Sequence, residues 1–304
     1  MDGDEDENED EDENEGADTN TETDADADVP ITVGIVAQRN NRRAQDLATT
    51  LLETLESDDV SVIVDEETGD ATGHDSVPVS AMGNSDLVVS IGGDGTFLFV
   101  AREAGSAPIL GVNLGEVGFL NAVPPAEAVE TVVPLVDTLR AGEDIRSRRV
   151  DRLQATGDDW DLAPALNEVV VHGPQRGHGG GAEIEVLVDG ERYANSHADG
   201  VLVATPTGST AYNLSEGGPL VRPTLDSLVV TQMCATESMP PLVVGADSEL
   251  TFHVSGADTG YVISDGRNRQ QLELPATVTV SVAGDPVTLA GPRVNFFDAL
   301  EKLE

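Results

Sequence analysis

A strand, a glycine-rich turn and a helix follow one another within residues 86–105, and this order constrains the fold most. Residues 87–91 form a short apolar run rich in β-branched side chains, which is typical of a buried strand in a parallel sheet. The sequence Gly-Gly-Asp-Gly at 92–95 interrupts that run. Thr96 is a suitable helix N-cap, and the apolar positions after it predict a helix that ends near Gly105. The glycines therefore join a buried strand to a helix N-terminus.

The turn is suited to bind a phosphate, although it also contains a negatively charged residue, Asp94. Glycine has no Cβ, so the backbone N–H groups and the positive end of the helix dipole can approach a phosphate closely. A carboxylate at Asp94 would repel that anion unless it held a metal ion or accepted a proton. Asp94 is therefore a catalytic candidate. A Gly-Asp-Gly turn that stands alone more often marks an ordinary strand end.

The pattern of apolar residues changes along the chain and predicts two domains. Residues 31–36 and 60–64 read as strands around a helical repeat, which makes a β-α-β unit and a parallel sheet. After Ile145, short strand-like runs alternate with turns. We expect an α/β fold: a doubly wound, Rossmann-like parallel sheet over 30–145 and a β-rich, sandwich-like domain over 146–290. Residues 291–304 are expected to form a helical segment that packs back on the N-terminal domain.

Acidic residues dominate the composition. The 57 Asp and Glu residues outnumber 16 Lys and Arg, giving a formal charge of −41. Residues 1–28 hold no basic residue and almost no apolar one, which predicts a disordered acidic tail over 1–29. At molar salt the Debye length falls to about 3 Å, so the repulsion is screened. The acids are spread along the whole chain, which favours adaptation to a salt-rich cytoplasm over an acidic partner-binding protein. Such a surface disfavours nucleic acid and anionic membranes.

The scarcity of lysine and cysteine excludes several chemistries. Lys302 is the only lysine, which leaves no lysine inside the fold for a Walker A loop or a Schiff base. Cys234 is the only cysteine, which rules out an intramolecular disulfide or a thiolate metal cluster. No apolar run reaches the roughly 18 residues of a membrane span, and no signal peptide is apparent. We expect a cytoplasmic protein.

A second informative stretch covers residues 199–219. A strand runs into a turn that is dense in hydroxyl groups, contributed by Thr205, Thr207, Ser209 and Thr210. Hydroxyls and exposed backbone amides pair with the donors and acceptors of a ribose or an adenine. A capped helix start with a glycine exit would explain the same residues.

Together these motifs resemble the NAD kinase family. The resemblance is carried by the glycine turn at 92–96, by Asn167-Glu168 and by the run Thr-Pro-Thr-Gly-Ser-Thr-Ala-Tyr at 205–212. The turn at 111–120 resembles that family's next turn, and the match extends over most of residues 31–300. The composition suggests a haloarchaeal member. The resemblance implies Mg-dependent transfer of a phosphoryl group from ATP or polyphosphate to the 2′-hydroxyl of the adenosine ribose of NAD.

The resemblance also implies roles for individual residues. Asp94 would accept the proton of the 2′-hydroxyl. The phosphate donor would contact Gly92, Gly93, Gly95 and Thr96. The residues expected to contact NAD are Gly95, Asn167, Glu168, His178, His197, Asp199, Thr210, Ala211, Tyr212, Asn213, Leu214 and Ser215. No protein side chains are expected to fix the metal ion, which would arrive with the nucleotide. A homodimer or homotetramer is expected.

Some positions depart from the family, and other functions remain open at this stage. Family members often carry basic residues at the positions of Phe99 and Glu116, and glutamine is common at that of Arg267; residues 237–241 also differ. These departures bear on the electrostatics of the donor site. The alternatives are a diacylglycerol-type lipid kinase of the same superfamily, a non-catalytic dinucleotide-binding regulator and, less well supported, a phosphofructokinase.

The charge of the chain predicts that activity requires high salt. In dilute buffer the unscreened repulsion among acidic side chains strains the compact fold, whereas molar KCl screens it. NADP formation measured over a KCl series should rise steeply toward molar concentrations. Full activity at low ionic strength would contradict this interpretation of the charge.

Overall fold

The computed structural model of the chain describes residues 30–58, 60–115, 118–175, 177 and 180–301. The expected acidic tail at 1–29, and the positions of Glu116 and His178, lie outside the described residues. The described strands form three six-stranded sheets.

Helices and strands are each numbered in chain order. The helices are α1 (Arg42–Glu56), α2 (Glu66–Thr72), α3 (Asp94–Glu103), α4 (Ala128–Arg140), α5 (Tyr212–Ser215) and α6 (Phe296–Leu300), with short 3-10 helices at Val79–Asn84, Pro125–Glu127 and Gly208–Thr210. The strands are β1 (Thr32–Ala37), β2 (Ser61–Val64), β3 (Leu87–Gly92), β4 (Ile109–Asn113), β5 (Ser147–Val150), β6 (Leu153–Gly157), β7 (Trp160–Asp161), β8 (Glu168–His172), β9 (Ala182–Val188), β10 (Glu191–Ala198), β11 (Gly200–Ala204), β12 (Ser227–Met233), β13 (Leu242–Gly245), β14 (Leu250–Ser255), β15 (Thr259–Ser264), β16 (Asn268–Glu273), β17 (Ala276–Val282) and β18 (Val287–Ala290).

The first sheet has the strand order β2-β1-β3-β4-β18-β5 and carries helices on both faces. Its strands pair in parallel except for β5, which is antiparallel to β18. Residues of α1 and α4 pack in the core on one face, and residues of α3 pack on the other. β3 is buried along its whole length, as its continuous apolar run predicts. The expected doubly wound sheet is confirmed.

The second domain is a sandwich of two antiparallel sheets. One sheet has the order β10-β9-β14-β17-β6-β7 and the other β13-β12-β11-β8-β15-β16. Their inner faces share one apolar core, in which Phe252, Ile184 and Val201 are fully buried. Alternation of buried and exposed positions, clearest along β14, sets one face of each strand toward this core. The expected β-rich, sandwich-like domain is confirmed.

The boundaries between the two domains differ from those predicted. Residues 147–150 and 287–290 were assigned to the second domain, yet β5 and β18 complete the first sheet. The chain therefore leaves the first sheet, builds the sandwich and returns. Short strand-like runs look alike in both domains, and sequence alone does not indicate which sheet a strand joins. At the C-terminus, the Phe296 ring of α6 lies 6.1 Å from the Phe119 ring of the first domain.

Arg152 lies in the link between β5 and β6, where the chain passes from the first domain to the second, and it bonds to two neighbouring segments. Its side chain is buried, Nε donates to the carbonyl oxygen of Asp285 at 2.8 Å, and Nη2 forms an ion pair with the carboxylate of the same residue. Nη1 donates to the carbonyl oxygen of Ala101 in α3. One guanidinium therefore joins the β5–β6 link, the turn before β18 and α3.

Replacing Arg152 by leucine should destabilise the protein. The variant leaves the carbonyl oxygen of the buried Ala101 without this donor, which costs about 1–3 kcal/mol. Denaturant unfolding in molar KCl would measure the loss. Arg149→Leu removes the same charge from an exposed position nearby and serves as the control. Equal stability of the two variants would show that Arg152 does not hold the crossing together.

Candidate active site

The glycine turn sets Asp94 in the first turn of α3. The backbone N–H groups of Thr96 and Phe97 both donate to the carbonyl oxygen of Gly93, at 3.0 and 3.2 Å. Gly93 is therefore the N-cap, and the prediction that Thr96 caps the helix was wrong. The helix begins earlier because the small residues at the turn allow the chain to bend before Thr96. A carboxylate in the first turn also interacts favourably with the helix dipole.

The Asp94 carboxylate is held by the loop at 119–121. Oδ2 accepts the N–H of Phe119 at 3.1 Å, and Oδ1 accepts the N–H of Leu120 at 3.4 Å and Nδ2 of Asn121 at 3.0 Å. Burial raises the pKa of Asp94, although these hydrogen bonds oppose the rise. A carboxylate offers about four acceptor positions, so one position on Oδ2 stays open. Asp94 is therefore built to accept one more hydrogen bond.

A cleft of about 1020 Å³ lies where β1, β2 and β3 end, beside the glycine turn. Ligands of open α/β sheets bind at this edge. Of the four residues predicted to contact the donor, Gly93, Gly95 and Thr96 line the cleft and Gly92 does not. A Cβ on Gly92 would press against the Thr96 side chain, so this glycine serves packing. The Asp94 side chain itself is directed at the 119–121 loop and does not line the cleft.

Asp265 is a site residue for which the sequence suggested no role. Its carboxylate accepts the backbone N–H groups of Leu166 at 2.7 Å, Asn167 at 2.8 Å and Glu168 at 3.1 Å. Asp265 also lines the cleft, so it brings the Asn167-Glu168 motif to the edge of the first sheet. Its φ of 46° lies in the left-handed region. The Asp265-Gly266 pair is a turn signal that could have drawn attention to it.

A hydrogen bond of Glu168 links the Asn167-Glu168 motif to the start of α5. The backbone N–H of Tyr212 donates to the Glu168 carboxylate, while Oε2 is buried and has no hydrogen-bond partner among the described residues. Burial, together with the nearby charge of Asp265, raises the pKa of Glu168 to about 7, against the opposing effect of the Tyr212 N–H. The structure therefore brings Asn167 and Glu168 together with the 210–215 segment.

The hydroxyl-rich segment packs tightly under this motif. Thr205 Oγ1 donates to the carbonyl oxygen of Leu166 at 2.6 Å and accepts the N–H of Gly208 at 3.0 Å. A side chain at Gly208 would collide with the carbonyl of Asn167. The hydroxyls of this segment therefore stabilise the turn itself, in addition to any contact with a ligand.

The predicted NAD contacts on α5 fall into two groups. Asn213 is fully buried, with Nδ2 donating to the carbonyl oxygens of Ser209 and Pro219 and Oδ1 accepting from Thr231. Its side chain is therefore internal, in contrast to the expectation that it contacts NAD. Leu214 and Ser215 are exposed and available to a ligand.

Asp199 and His197 lie apart from the other predicted NAD contacts. They precede β11, whereas the 205–215 segment follows it, and five strand residues span about 17 Å. Asp199 Oδ2 accepts the N–H of Gly177 at 2.8 Å, and His197 Nε2 lies 2.9 Å from the carbonyl oxygen of Gly180. Within one chain, the structure does not bring these residues to the Asn167-Glu168 motif.

The described residues contain neither a membrane-spanning helix nor a ready-made metal site. None of the described helices combines the length and apolarity that crossing a membrane requires. No group of three or more His, Cys, Asp or Glu side chains in the same residues could hold a metal ion.

The comparisons with known proteins identify the family. The ATP-NAD kinase N-terminal domain matches residues 33–138, and the ATP-NAD kinase C-terminal domain matches residues 166–290. The chain belongs to the NAD kinase family. A NAD kinase of Haloarcula marismortui is 57% identical over 90% of this chain and 100% of its own length. For a NAD kinase of Halobacterium salinarum the identity is 54%, over 90% and 99%.

A more distant relative agrees with this assignment, and two solved structures share the fold. A NAD kinase of Thiobacillus denitrificans is 33% identical over 89% of this chain and 95% of its own length. Yeast NADH kinase complexed with NADH has the same fold, with a TM-score of 0.78 and 24% identity over 90% of this chain and 87% of its own. A NAD kinase from Archaeoglobus fulgidus in complex with ATP has a TM-score of 0.72 and 23% identity over 90% and 100%.

The relatives settle the broad activity and source. Haloarchaeal NAD kinases at 54–57% identity, over nearly their whole length, indicate that this chain is a NAD kinase enzyme from a haloarchaeal source. This identity excludes the three alternatives, which were a lipid kinase, a non-catalytic regulator and a phosphofructokinase.

Glu168→Gln should flatten the dependence of stability on pH. Folding raises the pKa from 4.5 to about 7, so the folded state binds more protons between these values. The wild-type free energy of unfolding should then fall as pH rises from 4.5 to 7, by on the order of 3 kcal/mol. Chemical unfolding at pH 5 and pH 8 measures the difference, with Glu191→Gln as an exposed control. If the free energy of unfolding of Glu168→Gln depends on pH as steeply as that of the wild type, another group takes up the proton.

Proposed function

We propose that the chain transfers the terminal phosphoryl group of ATP to the 2′-hydroxyl of the adenosine ribose of NAD, with Asp94 as the proton acceptor. The observation that carries this proposal is the open acceptor position on Asp94 Oδ2, beside a cleft lined by Gly93 and Gly95. A ribose hydroxyl at that position would donate its hydrogen bond to the carboxylate that removes its proton. The donor phosphates would lie on the cleft side of the same turn.

The step is an in-line displacement at phosphorus. The 2′-oxygen forms a bond to the terminal phosphorus, the bond from that phosphorus to the bridging oxygen breaks, and ADP leaves. The hydroxyl proton passes to Asp94. Such transfers depend on positioning and charge stabilisation, with little covalent work for the protein. The raised pKa of Asp94 strengthens it as a proton acceptor.

A magnesium ion would arrive with the donor nucleotide, because no group of described side chains forms a metal site of its own. Asp65, Glu66 and Glu67 line the same cleft. These carboxylates would repel the free nucleotide anion. When bound, the ion supplies neutralisation of the donor phosphates.

The acceptor side would be formed by the remaining predicted contacts. Asn167, Glu168 and Tyr212 would form one wall of this site, because Asp265 and the Tyr212 N–H hold them together. We propose that Gly95, Thr210, Ala211, Leu214 and Ser215 extend this wall, and that Asp199, His197 and His178 belong to a more distant part of the NAD site. Inorganic polyphosphate is the alternative donor.

We further propose a homodimer or homotetramer in a salt-rich cytoplasm. Large apolar side chains stand exposed on the second domain, including Leu225 at 55% and Val243 at 49% exposure. Exposed apolar surface of this kind is suited to contact with a second subunit.

Asp94→Asn should retain the fold and NAD binding but lose turnover. Removing a general base typically costs about 10²- to 10⁴-fold in rate. NADP formation, read with an NADP-specific dehydrogenase, and NAD affinity by calorimetry would separate the two effects. Asp86→Asn is the matched control, because Asp86 accepts the N–H of Thr32 at the opposite end of β3. Near-normal turnover of Asp94→Asn would remove Asp94 from its role.

A further inference from the structure

Asn121 differs from the other two residues that hold the Asp94 carboxylate. Phe119 and Leu120 donate through their backbone N–H groups, whereas Asn121 donates through its side chain, with Nδ2 at 3.0 Å from Asp94 Oδ1. Any residue except proline supplies a backbone N–H, so those two bonds do not depend on the side chain. An ionised carboxylate only accepts hydrogen bonds, so the amide must present Nδ2 to it. The third bond therefore requires a side-chain donor at position 121.

The position of Asn121 is fixed by the end of β4. The N–H of Asn113 donates to the carbonyl oxygen of Val123 at 2.8 Å, and the N–H of Val123 donates to that of Gly111 at 3.1 Å. A Cβ on Gly111 would lie 2.4 Å from Asn121 Oδ1 and 2.8 Å from its Cα. Asn121 therefore packs directly against a glycine of β4, and its side chain is 3% exposed. This packing leaves the amide little freedom to turn away from Asp94.

The other half of the amide is unfavourable for folding. Oδ1 of Asn121 is buried and has no hydrogen-bond partner among the described residues. A buried polar atom without a partner lowers the stability of the folded state. An alanine at this position would avoid that loss. What the amide does provide is the bond from Nδ2 to Asp94, which indicates that position 121 serves the carboxylate rather than the stability of the loop.

We propose that Asn121 is a positioning residue for the proton transfer, in which its amide occupies Asp94 Oδ1 and so keeps the open acceptor position on Oδ2 directed at the ribose hydroxyl. The inference rests on the proposed function and adds the side chain that orients its base. Asn121 acts through Asp94 and contacts neither substrate. The terminal torsion of an aspartate is broad, so the carboxylate can rotate when a bond on one of its oxygens is lost.

The protonation of Asp94 reports on this contact. Burial raises the pKa of Asp94, and the bond from Asn121 is one of the three hydrogen bonds that lower it, so loss of the amide should raise the pKa further. No charged side chain of the described residues contributes to the shift. Charged groups do lie on the neighbouring elements, around the cleft and beside Asn121: Arg39, Asp65, Glu66, Glu67, Arg102, Glu103, Asp265, Arg267, Arg293 and Asp298.

Asn121→Ala should lower the plateau value of kcat about 10- to 100-fold, the range expected for loss of a hydrogen bond to a charged group. KM for NAD and for ATP should stay within about twofold of wild type, because binding is not affected. The acid limb of the kcat profile should move to higher pH. NADP formation from about pH 5 to 9 at one molar KCl concentration measures all three, and thermal unfolding checks the fold. Asn84→Ala is the control, an exposed asparagine at the opposite end of β3 from Asp94.

Asn121→Asp keeps the shape of the side chain and tests the donor itself. Two carboxyl groups in contact share one proton, because their charges repel when both are ionised. While that proton is present, the new carboxyl group can donate to Asp94 Oδ1 as the amide does. The kcat of this variant should therefore exceed that of Asn121→Ala near neutral pH and fall at alkaline pH, which makes its profile bell-shaped.

The outcomes separate this inference from the proposed function. No NADP from wild-type protein, or near-normal turnover of Asp94→Asn, overturns both. An inactive Asp94→Asn variant combined with a wild-type kcat and pH profile for Asn121→Ala overturns the inference alone. The inference also fails if Asn121→Ala loses activity only in proportion to its thermal stability, with the acid limb unmoved and no recovery of kcat in Asn121→Asp.

Discussion

The carboxylate of Asp265 holds the site together. It accepts three successive backbone N–H groups at 166–168, while its own N–H donates to the carbonyl oxygen of Glu168 at 3.0 Å. Because Asp265 also lines the cleft beside the glycine turn, these bonds fix the start of β8 against the edge of the first sheet. A carboxylate that accepts several backbone amides orients a loop firmly. Without it, the Asn167-Glu168 motif would lose its fixed place.

Asp94, in the first domain, also accepts several hydrogen bonds from one loop. It accepts two backbone N–H groups and one side-chain amide from the 119–121 loop, and one acceptor position remains. The two aspartates therefore accept the same number of hydrogen bonds, and each keeps one acceptor position on Oδ2. They differ in their partners, because Asp265 accepts only backbone N–H groups whereas Asp94 also accepts the side-chain amide of Asn121. Burial raises the pKa of both carboxyl groups.

The sequence predicted the local and periodic features well. The continuous apolar run of β3, the glycine turn and the alternation of the sandwich strands are all encoded by neighbouring residues. The return of β18 to the first sheet was missed, because its pairing with β4 joins residues far apart in sequence. The same reason hid Asp265, whose three partners lie 97–99 residues away. The internal role of Asn213 depends on Thr231, in another strand.

A crystal structure with NAD and a non-hydrolysable ATP analogue tests the central claim most directly. The 2′-oxygen of the adenosine ribose should lie about 2.6–3.2 Å from Asp94 Oδ2. The phosphates of the analogue should lie at Gly93 and Gly95. NAD bound with its ribose out of reach of Asp94, while that carboxylate contacts only the 119–121 loop, would contradict the assignment of Asp94 as the proton acceptor.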